Sequence, residues 1–220
     1  MLWQIELHAH TWYSEDSLLR PRTLIEVARR RGLDKIAITD HNTLRGAREA
    51  YTLDPERVII GEEIMTSRGE LLAFFVREEI PAGLSPQETI RRLREQGAVI
   101  SVSHPFDRLR KGHWRLPDLL EILPLVDALE GFNARCLRAS DNDQAQALAR
   151  EHGLPITVGS DAHAALEIGR ARLILPPFDS AGDFRRALAQ ARPQARLSPA
   201  WVHLLSRYAV WRKRLGRGGV

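Results

Sequence analysis

The sequence has a single cysteine, Cys136, among its 220 residues, so no disulfide can form within the chain. That scarcity agrees with a reducing compartment, and an inert buried or half-buried thiol is the simplest expectation for Cys136. No segment approaches the roughly 20 apolar residues that a transmembrane helix needs. The chain also enters a predicted strand at once, without a leader peptide. We therefore expect a cytoplasmic protein with no membrane anchor.

Lysine is almost as scarce, because Lys35, Lys111 and Lys213 are the only three. Arginine supplies the rest of the 32 basic residues, which outnumber 28 acidic ones and give a formal charge of +4. A guanidinium can bind two phosphate oxygens at once. This excess of basic residues favours an anionic substrate and permits nucleic acid, but it proves neither.

Strand and helix signals alternate along the chain. Apolar strands are predicted at residues 2–8, 35–39, 58–60, 71–76, 98–102, 127–129, 155–158 and 172–175, and helices at 21–31, 44–52, 85–96, 117–123, 139–152 and 180–191. Apolar strands without strict alternation predict a parallel sheet covered by helices. About seven or eight such units predict one domain, residues 1–200, built as a closed or distorted β/α barrel.

The C-terminal segment, residues 201–220, mixes aromatic and aliphatic residues with five basic residues and contains no acid. We predict a terminal helix that packs Trp201, Leu204, Leu205 and Tyr208 on the barrel and leaves its basic end in solvent. The alternative is a basic amphipathic helix for a membrane surface or for nucleic acid.

Five of the eight histidines stand where predicted strands end: His8, His10, His41, His104 and His163. His8 and His10 lie two apart, so both side chains point to one face of their strand. Imidazoles and carboxylates are the ligands of borderline divalent metals. In a β/α barrel, strand ends from distant parts of the sequence meet at one face. The sequence therefore predicts a metal site there.

Carboxylates accompany these histidines. Asp40 precedes His41, Asp161 lies two residues before His163, Glu63 ends Gly61-Glu62-Glu63, and Glu130 follows the sixth strand. A buried charge is costly unless it is paired or bound to metal. So many charged groups at strand ends are therefore better explained by a shared metal site than by packing.

In sequence order these motifs are His-x-His-Thr, Thr-Asp-His-Asn, Gly-x-Glu, Ser-His-Pro, Glu-x-x-Asn and Gly-Ser-Asp-Ala-His. The series resembles the PHP (polymerase and histidinol phosphatase) superfamily from His8 to Gly169. The resemblance implies a distorted (β/α)7 barrel in a single domain. It also implies two or three divalent ions, of Mn, Fe or Zn, and hydrolysis of a phosphate ester by a hydroxide that the ions share.

The resemblance also implies the ligands, which are His8, His10, Asp16, His41, Glu63, His104, Asp161 and His163. Glu63 would bridge two ions, and Glu15 is the alternative to Asp16. All of them except Asp16 are predicted to be catalytic, and Asp161 or a bound water would handle the proton of the leaving group.

The sequence departs from the family pattern between residues 64 and 103, which contain no histidine where many members have one. Glu70 could substitute, but Ser67-Arg68-Gly69-Glu70 has the composition of a turn, and we predict a turn residue. A third metal would then be weakly held or absent.

Basic residues near the motifs are candidates for binding substrate. Arg108 and Arg135 are predicted to hold phosphate oxygens, and Arg110 and Lys111 are weaker candidates. We expect the ligand to be a phosphorylated small molecule or nucleotide. The alternatives are a nuclease or nucleotide-bisphosphate phosphatase acting on short oligonucleotides, and a metal-stabilised binding or regulatory protein without turnover.

Overall fold

A nine-stranded sheet runs through residues 1–217, which are the residues that the computed structural model describes. Its strands are β1 (Trp3–Glu6), β2 (Lys35–Ile38), β3 (Val58–Met65), β4 (Glu70–Phe74), β5 (Val99–Val102), β6 (Ala128–Asn133), β7 (Ile156–Gly159), β8 (Ala171–Leu175) and β9 (Arg192–Ala195). The helices are α1 (Pro21–Arg30), α2 (Arg45–Leu53), α3 (Pro86–Glu95), α4 (Leu116–Ile122), α5 (Ala139–Glu151), α6 (Ala181–Leu188) and α7 (Val202–Arg217).

The strands β1 to β7 lie side by side in chain order, and the β8–β9 pair extends the sheet from the other edge of β1. The ends of β1 and β7 are joined by a short bridge between Ala9 and Ala162. In it, His10 N donates to Ala162 O at 2.8 Å and Ala162 N donates to His8 O at 3.2 Å. The bridge nearly closes a seven-stranded barrel, so the predicted distorted (β/α)7 barrel in a single domain is confirmed.

The expectation of a parallel sheet was wrong for part of the barrel. Strand β4 runs antiparallel to both β3 and β5, and β8 runs antiparallel to β1 and β9. Residues 66–69 are too few for a parallel crossover, which needs a dozen or more residues. Residues Leu71 to Phe74 are nevertheless buried on both faces, and this burial gives β4 the apolar composition of a parallel strand.

Two strands continue further than expected, and one was missed. Strand β3 runs on through Glu63 to Met65, and β6 includes Glu130 and ends at Asn133. Buried carboxylates inside strands look like loop residues in a sequence, because strands are depleted in acids. Strand β9 escaped prediction because its four residues are all exposed.

Helix α7 lies against the barrel through a different face from the expected one. Val202 and Ala209 are buried, seven residues apart and therefore on one side of the helix, whereas Trp201, Leu204 and Tyr208 are exposed. The predicted inward packing of those three residues was wrong. Within residues 1–217, no helix is both long and apolar enough to span a bilayer.

Candidate metal centre

The carboxyl ends of the barrel strands bring the predicted site residues together. His8 and His10 follow β1, His41 follows β2, His104 follows β5, and Asp161 and His163 follow β7, while Glu63 projects from within β3. All of them except His41 are buried. His104 and Asp161 have positive φ angles, 23° and 52°, so the backbone turns sharply where these side chains enter the site.

Glu63 lies at the centre of this group. Its Oε2 is 3.3 Å from His8 Nε2, 3.3 Å from His10 Nε2 and 3.1 Å from His41 Nδ1. Its Oε1 is 3.0 Å from His104 Nε2 and accepts a hydrogen bond from Ser103 Oγ at 2.6 Å. One carboxylate thus faces four imidazoles, which is the arrangement expected of a bridging ligand.

Asp161 approaches the same histidines from the opposite side of the barrel. Its Oδ1 lies 3.2 Å from His10 Nε2 and 3.6 Å from His8 Nε2. Its Oδ2 accepts hydrogen bonds from Asn133 Nδ2, at 3.1 Å, and from Arg110. One oxygen of Asp161 is therefore held by the protein and the other is directed at the centre.

The loop after β1 contributes Asp16. Its Oδ2 is 2.8 Å from His163 Nε2, and its Oδ1 is 3.7 Å from His41 Nε2. Glu15, the alternative, has an exposed side chain. Of the two neighbouring acids, Asp16 is the one that lies beside the histidines.

Glu70 belongs to the site, so the prediction of a turn residue was wrong. It is the first residue of β4 and is buried. Its Oε1 lies 3.9 Å from His41 Nδ1 and its Oε2 lies 3.5 Å from His104 Nε2. Because β4 runs antiparallel, its amino end lies beside the carboxyl ends of β3 and β5. The strand thereby supplies a carboxylate in the stretch that lacks histidine.

Further side chains orient the histidines from outside. Glu130 accepts hydrogen bonds from His104 N and Asn133 Nδ2, at 2.8 and 3.1 Å, and lies 2.8 Å from His8 Nδ1. Ser14 Oγ is 3.1 Å from His10 Nδ1 and donates to Asp40 at 2.7 Å. Engaging Nδ1 directs Nε2 of each ring at the centre, as outer partners of metal-binding histidines do.

The sequence placed Asp40 and Glu130 among the carboxylates of the site, but it did not predict that the outer residues orient the histidines. Glu130 and Asn133 carried a signal, because Glu-x-x-Asn is one of the family motifs. Ser103 carried one too, as the first residue of the motif Ser-His-Pro. Ser14 carried none, since serine is common in loops.

Glu6 joins the two edges of the barrel beneath the site. Its carboxylate accepts hydrogen bonds from Ser160 N and Oγ, Gly169 N and His8 N. Burial raises the pKa of Glu6 to about 7 despite these four donors. Gly159 is required nearby, because a Cβ there would lie 2.2 Å from His8 Cβ.

Charges oppose one another strongly in the centre. Burial would lower the pKa of His8, but Glu63 and Asp161 hold it well above the ordinary value. Burial would likewise raise the pKa of Glu63, but His8 and His41 hold it well below the ordinary value of a glutamate. His10 differs, because burial and the neighbouring His163 and His41 lower its pKa to about 3. Glu63 thus stays ionised and His10 stays neutral, which are the states that metal ligands require, whereas His8 would release a proton on binding an ion.

The unsatisfied atoms of the site fit divalent metal ions. Among residues 1–217, Glu63 Oε2, Asp161 Oδ1 and Asp16 Oδ1 are buried without a hydrogen bond. Such atoms are costly unless a bound group completes them. Three overlapping groups hold their ligand atoms within 4.8 Å of one another: His10, His41 and His163; His8, His10 and Glu63; and His41, Glu63 and Glu70.

The basic residues predicted to bind substrate lie in different surroundings. Arg108 is exposed, whereas Arg110 forms ion pairs with Asp161 and with Asp107, the latter at 3.0 Å. Arg135 is buried, with Nη1 2.5 Å from His163 Nδ1 and Nη2 donating to Ser206 Oγ at 2.9 Å. A cleft of about 350 Å³ opens here, lined by Asp16, Asp107, Leu109, Arg110, Arg135, Leu137, His203 and Ser206.

Cys136 lies near this cleft but is buried, and burial raises the pKa of its thiol far above the usual range. A thiol in that state is a poor nucleophile.

Comparison with known proteins places this architecture in a family. A family model described as PHP-associated matches residues 139–193. An uncharacterized protein of Methanocaldococcus jannaschii is 42% identical over 142 residues, which cover 59% of this chain and 81% of that protein. A second uncharacterized protein of the same organism is 37% identical over 171 residues, which cover 76% of this chain and 68% of that protein. The chain belongs to the PHP superfamily.

A solved structure shares the fold of this PHP protein. It is a two-domain protein from Bacteroides vulgatus that contains a predicted PHP-like metal-dependent phosphoesterase. The TM-score is 0.71 at 17% identity, and the match covers 89% of this chain and 65% of the other. This PHP chain therefore spans about two thirds of that longer protein.

Proposed function

We propose that this PHP protein is a metal-dependent phosphoesterase that hydrolyses a phosphate ester on a small molecule or nucleotide. The observation that carries the proposal is the convergence of Glu63 Oε2 and Asp161 Oδ1 on the same imidazole nitrogens without hydrogen bonds. A protein that used this cluster for stability alone would satisfy those oxygens with its own donors.

We propose nine ligands. Glu70 is one of them because its carboxylate lies beside His41 and His104. The other eight are those expected from the sequence: His8, His10, Asp16, His41, Glu63, His104, Asp161 and His163. Two or three divalent ions, of Mn, Fe or Zn, would suit this set of nitrogen and oxygen donors. When bound, such ions lower the pKa of water and offset charge on a phosphoryl group.

Asp161 is better suited to hold an ion than to donate a proton. Burial would raise its pKa, but Arg110 and His8 hold it well below the ordinary value. A carboxylate that stays ionised is a poor acid for the leaving group. Its oxygen bound by Arg110 and Asn133 fixes the orientation of the other, so that Asp161 presents one ligand atom in one direction.

The substrate would enter through the cleft beside Asp16 and Arg110. Arg110 pairs with Asp161, which places its guanidinium beside a proposed metal ligand. Arg108 follows His104 in the same loop, and we keep it and Arg135 as proposed phosphate contacts. The two-domain protein of known structure is described as containing a predicted PHP-like metal-dependent phosphoesterase, which agrees with a phosphate ester as the proposed substrate. A cytoplasmic location remains part of the proposal.

Turnover of an aryl phosphate by metal-free protein, and by protein given Mn²⁺ or Zn²⁺, tests this function. We expect turnover only with metal, together with a higher unfolding temperature when metal is added. A panel of nucleotides, sugar phosphates, histidinol phosphate and short RNA would then identify the substrate class. Tight metal binding without hydrolysis of any of them would favour a binding or regulatory protein instead.

A further inference from the structure

Five large apolar side chains form an exposed stripe along α7 and the residue that precedes it. They are Trp201, Leu204, Tyr208, Trp211 and Leu215, with exposed fractions of 51%, 61%, 52%, 55% and 55%. Their spacing of three and four residues places them on one side of the helix. The rings of Tyr208 and Trp211 lie 5.8 Å apart, so the stripe is continuous along its middle turns.

The opposite side of α7 is already fixed to the barrel. Val202 and Ala209 are buried, and Arg135 Nη2 donates to Ser206 Oγ. Further along the helix, Lys213 Nζ donates to Trp12 O at 2.5 Å and also to Ser14 O. The apolar stripe therefore cannot turn inward without breaking these contacts, and it stays on the outside of the folded protein.

The charged residues of α7 itself are all of one sign. Helix α7 carries five basic residues and no acid, and Arg207, Arg212 and Arg214 are exposed beside the stripe. A second copy of α7 packed on this stripe would bring these arginines against their counterparts. The charge pattern thus disfavours self-association and favours an anionic partner.

A basic pocket adjoins the C-terminal half of the stripe. It has a volume of about 630 Å³ and is lined by Arg20, Arg45, Arg212 and Lys213 together with Trp12, Tyr13, Glu15, Leu18 and Gly216. Four cations face one acid there. Such a pocket suits a phosphate headgroup, while the stripe beside it suits the apolar layer just below the headgroups.

We propose that α7 docks this protein onto a membrane surface that contains anionic phospholipid. Trp211, Leu215 and their neighbours enter the interface between headgroups and acyl chains, and the flanking arginines and the basic pocket contact lipid phosphate. Interfacial helices combine an aromatic and aliphatic face with Arg or Lys in this way. The proposal is independent of the phosphoesterase reaction.

Sedimentation with vesicles tests the proposal. Vesicles of phosphatidylcholine containing about one third phosphatidylglycerol should bind the full chain, and vesicles of phosphatidylcholine alone should bind it at least about tenfold less. Raising the salt concentration should release the protein. The variant Trp211→Ser/Leu215→Ser, and separately Arg207→Glu/Arg214→Glu, should each weaken binding at least about tenfold.

Matched controls lie elsewhere on the surface. Leu120→Ser in α4 and Arg150→Glu in α5 change exposed residues of the same types and should leave vesicle binding unchanged. All variants should retain turnover of the aryl phosphate in solution. That readout separates failure of this proposal from failure of the phosphoesterase assignment.

Several results would overturn the proposal. These are no vesicle binding, equal binding to neutral and anionic vesicles, or equal loss in the control variants. A dimer in solution that Trp211→Ser/Leu215→Ser dissociates would assign the stripe to a second copy. Salt-sensitive binding of short RNA, lost in the same variants and without vesicle binding, would assign it to nucleic acid.

Discussion

The candidate metal centre lies at the carboxyl ends of the barrel strands, a region that we call the mouth of the barrel. The mouth buries charged side chains, whereas the outer face of α7 exposes apolar ones. At the mouth, Glu63 and Asp161 are fully buried among histidines, although charged groups normally stay in water. On α7, Trp211 and Leu215 are more than half exposed, although contiguous apolar surface is normally covered. Each region is energetically unfavourable in the isolated chain.

The two regions differ in how narrowly their atoms define the group that would bind there. At the mouth, named atoms converge within 3.1–3.6 Å, an arrangement that suits a small cation. On α7 no set of polar atoms converges on one point, and the charge of the helix and of the adjoining pocket selects only a class of partner. Buried polar atoms therefore define a ligand more narrowly than exposed apolar ones do.

The largest expected effect is at the mouth. Replacing Glu63 with Gln keeps its shape and removes the charge that four imidazoles face, so we expect turnover to fall about 10³-fold or more and metal content to fall with it. Initial rates and elemental analysis measure both.

Glu62 provides the matched control for that change. It is equally buried and adjacent in the chain, but its carboxylate accepts from Ile80 N, away from the histidines. Glu62→Gln should keep metal content and most activity. Equal losses in the two variants would mean that β3 is merely sensitive to substitution and that Glu63 is not a metal ligand.

Much of this candidate site could be predicted from sequence because its histidines stand in short local motifs. His8, His10, His41, His104 and His163 stand beside recognisable strand ends, and a barrel brings strand ends together. Glu70 could not be found in this way. Its neighbours Ser67, Arg68 and Gly69 form a real turn, and only the antiparallel pairing of β4 carries the next residue into the site.

The orientation of α7 was also beyond prediction, for a physical reason. Both sides of the helix offer apolar residues, and the buried side uses the smaller ones, Val202 and Ala209. The polar contacts of Ser206 and Lys213 accompany that choice, and no hydrophobic pattern records them. Closure of the barrel, in contrast, followed from the number of strand–helix units.

The next largest effect concerns the support beneath the mouth. Glu6→Ala removes an acceptor from four buried donors and leaves a cavity, so we expect the free energy of unfolding to fall by about 3 kcal/mol. Denaturation by urea, with metal-free protein, measures this. Glu6→Gln keeps one acceptor oxygen and should lose less, and an Ala variant as stable as wild type would remove Glu6 from this role.

A smaller effect separates the arginines of the cleft. Arg110→Ala takes away the partner of Asp161 and should lower kcat/KM about tenfold to a hundredfold. Arg108 is exposed, so water would screen its proposed contact with phosphate, and Arg108→Ala should lower kcat/KM by a smaller factor, about threefold. Steady-state kinetics with metal in excess compares them. A larger loss for Arg108 would move the phosphate contact outward along the loop.

The smallest effect is expected where a carboxylate has protein partners and needs no ion. Asp54 accepts from Arg29 and Arg57 at 3.0 and 3.1 Å. Burial would raise the pKa of Asp54, but the two arginines lower it below its ordinary value of 3.8. Its stabilisation is therefore present above pH 3.8 and is lost as the pH falls through the lower folded-state value.

Asp54→Asn should cost about 1 kcal/mol at neutral pH, because Arg29 is partly in solvent. The cost should shrink in acid, and added metal should not change it. Urea denaturation at two pH values checks this, and a cost that grew in acid would contradict the assigned sign of the shift.

The bridge between Ala9 and Ala162 also sets the order of events during synthesis. Glu6 and Ser160 are 154 positions apart, so at typical ribosomal rates His8 waits roughly 8 to 30 s before its partners after β7 leave the ribosome. Until then His8 and His10 have no Asp161 or His163 beside them. A nascent chain therefore cannot complete the candidate metal site until the residues after β7 have left the ribosome, and on the proposed function it would capture metal only after that point.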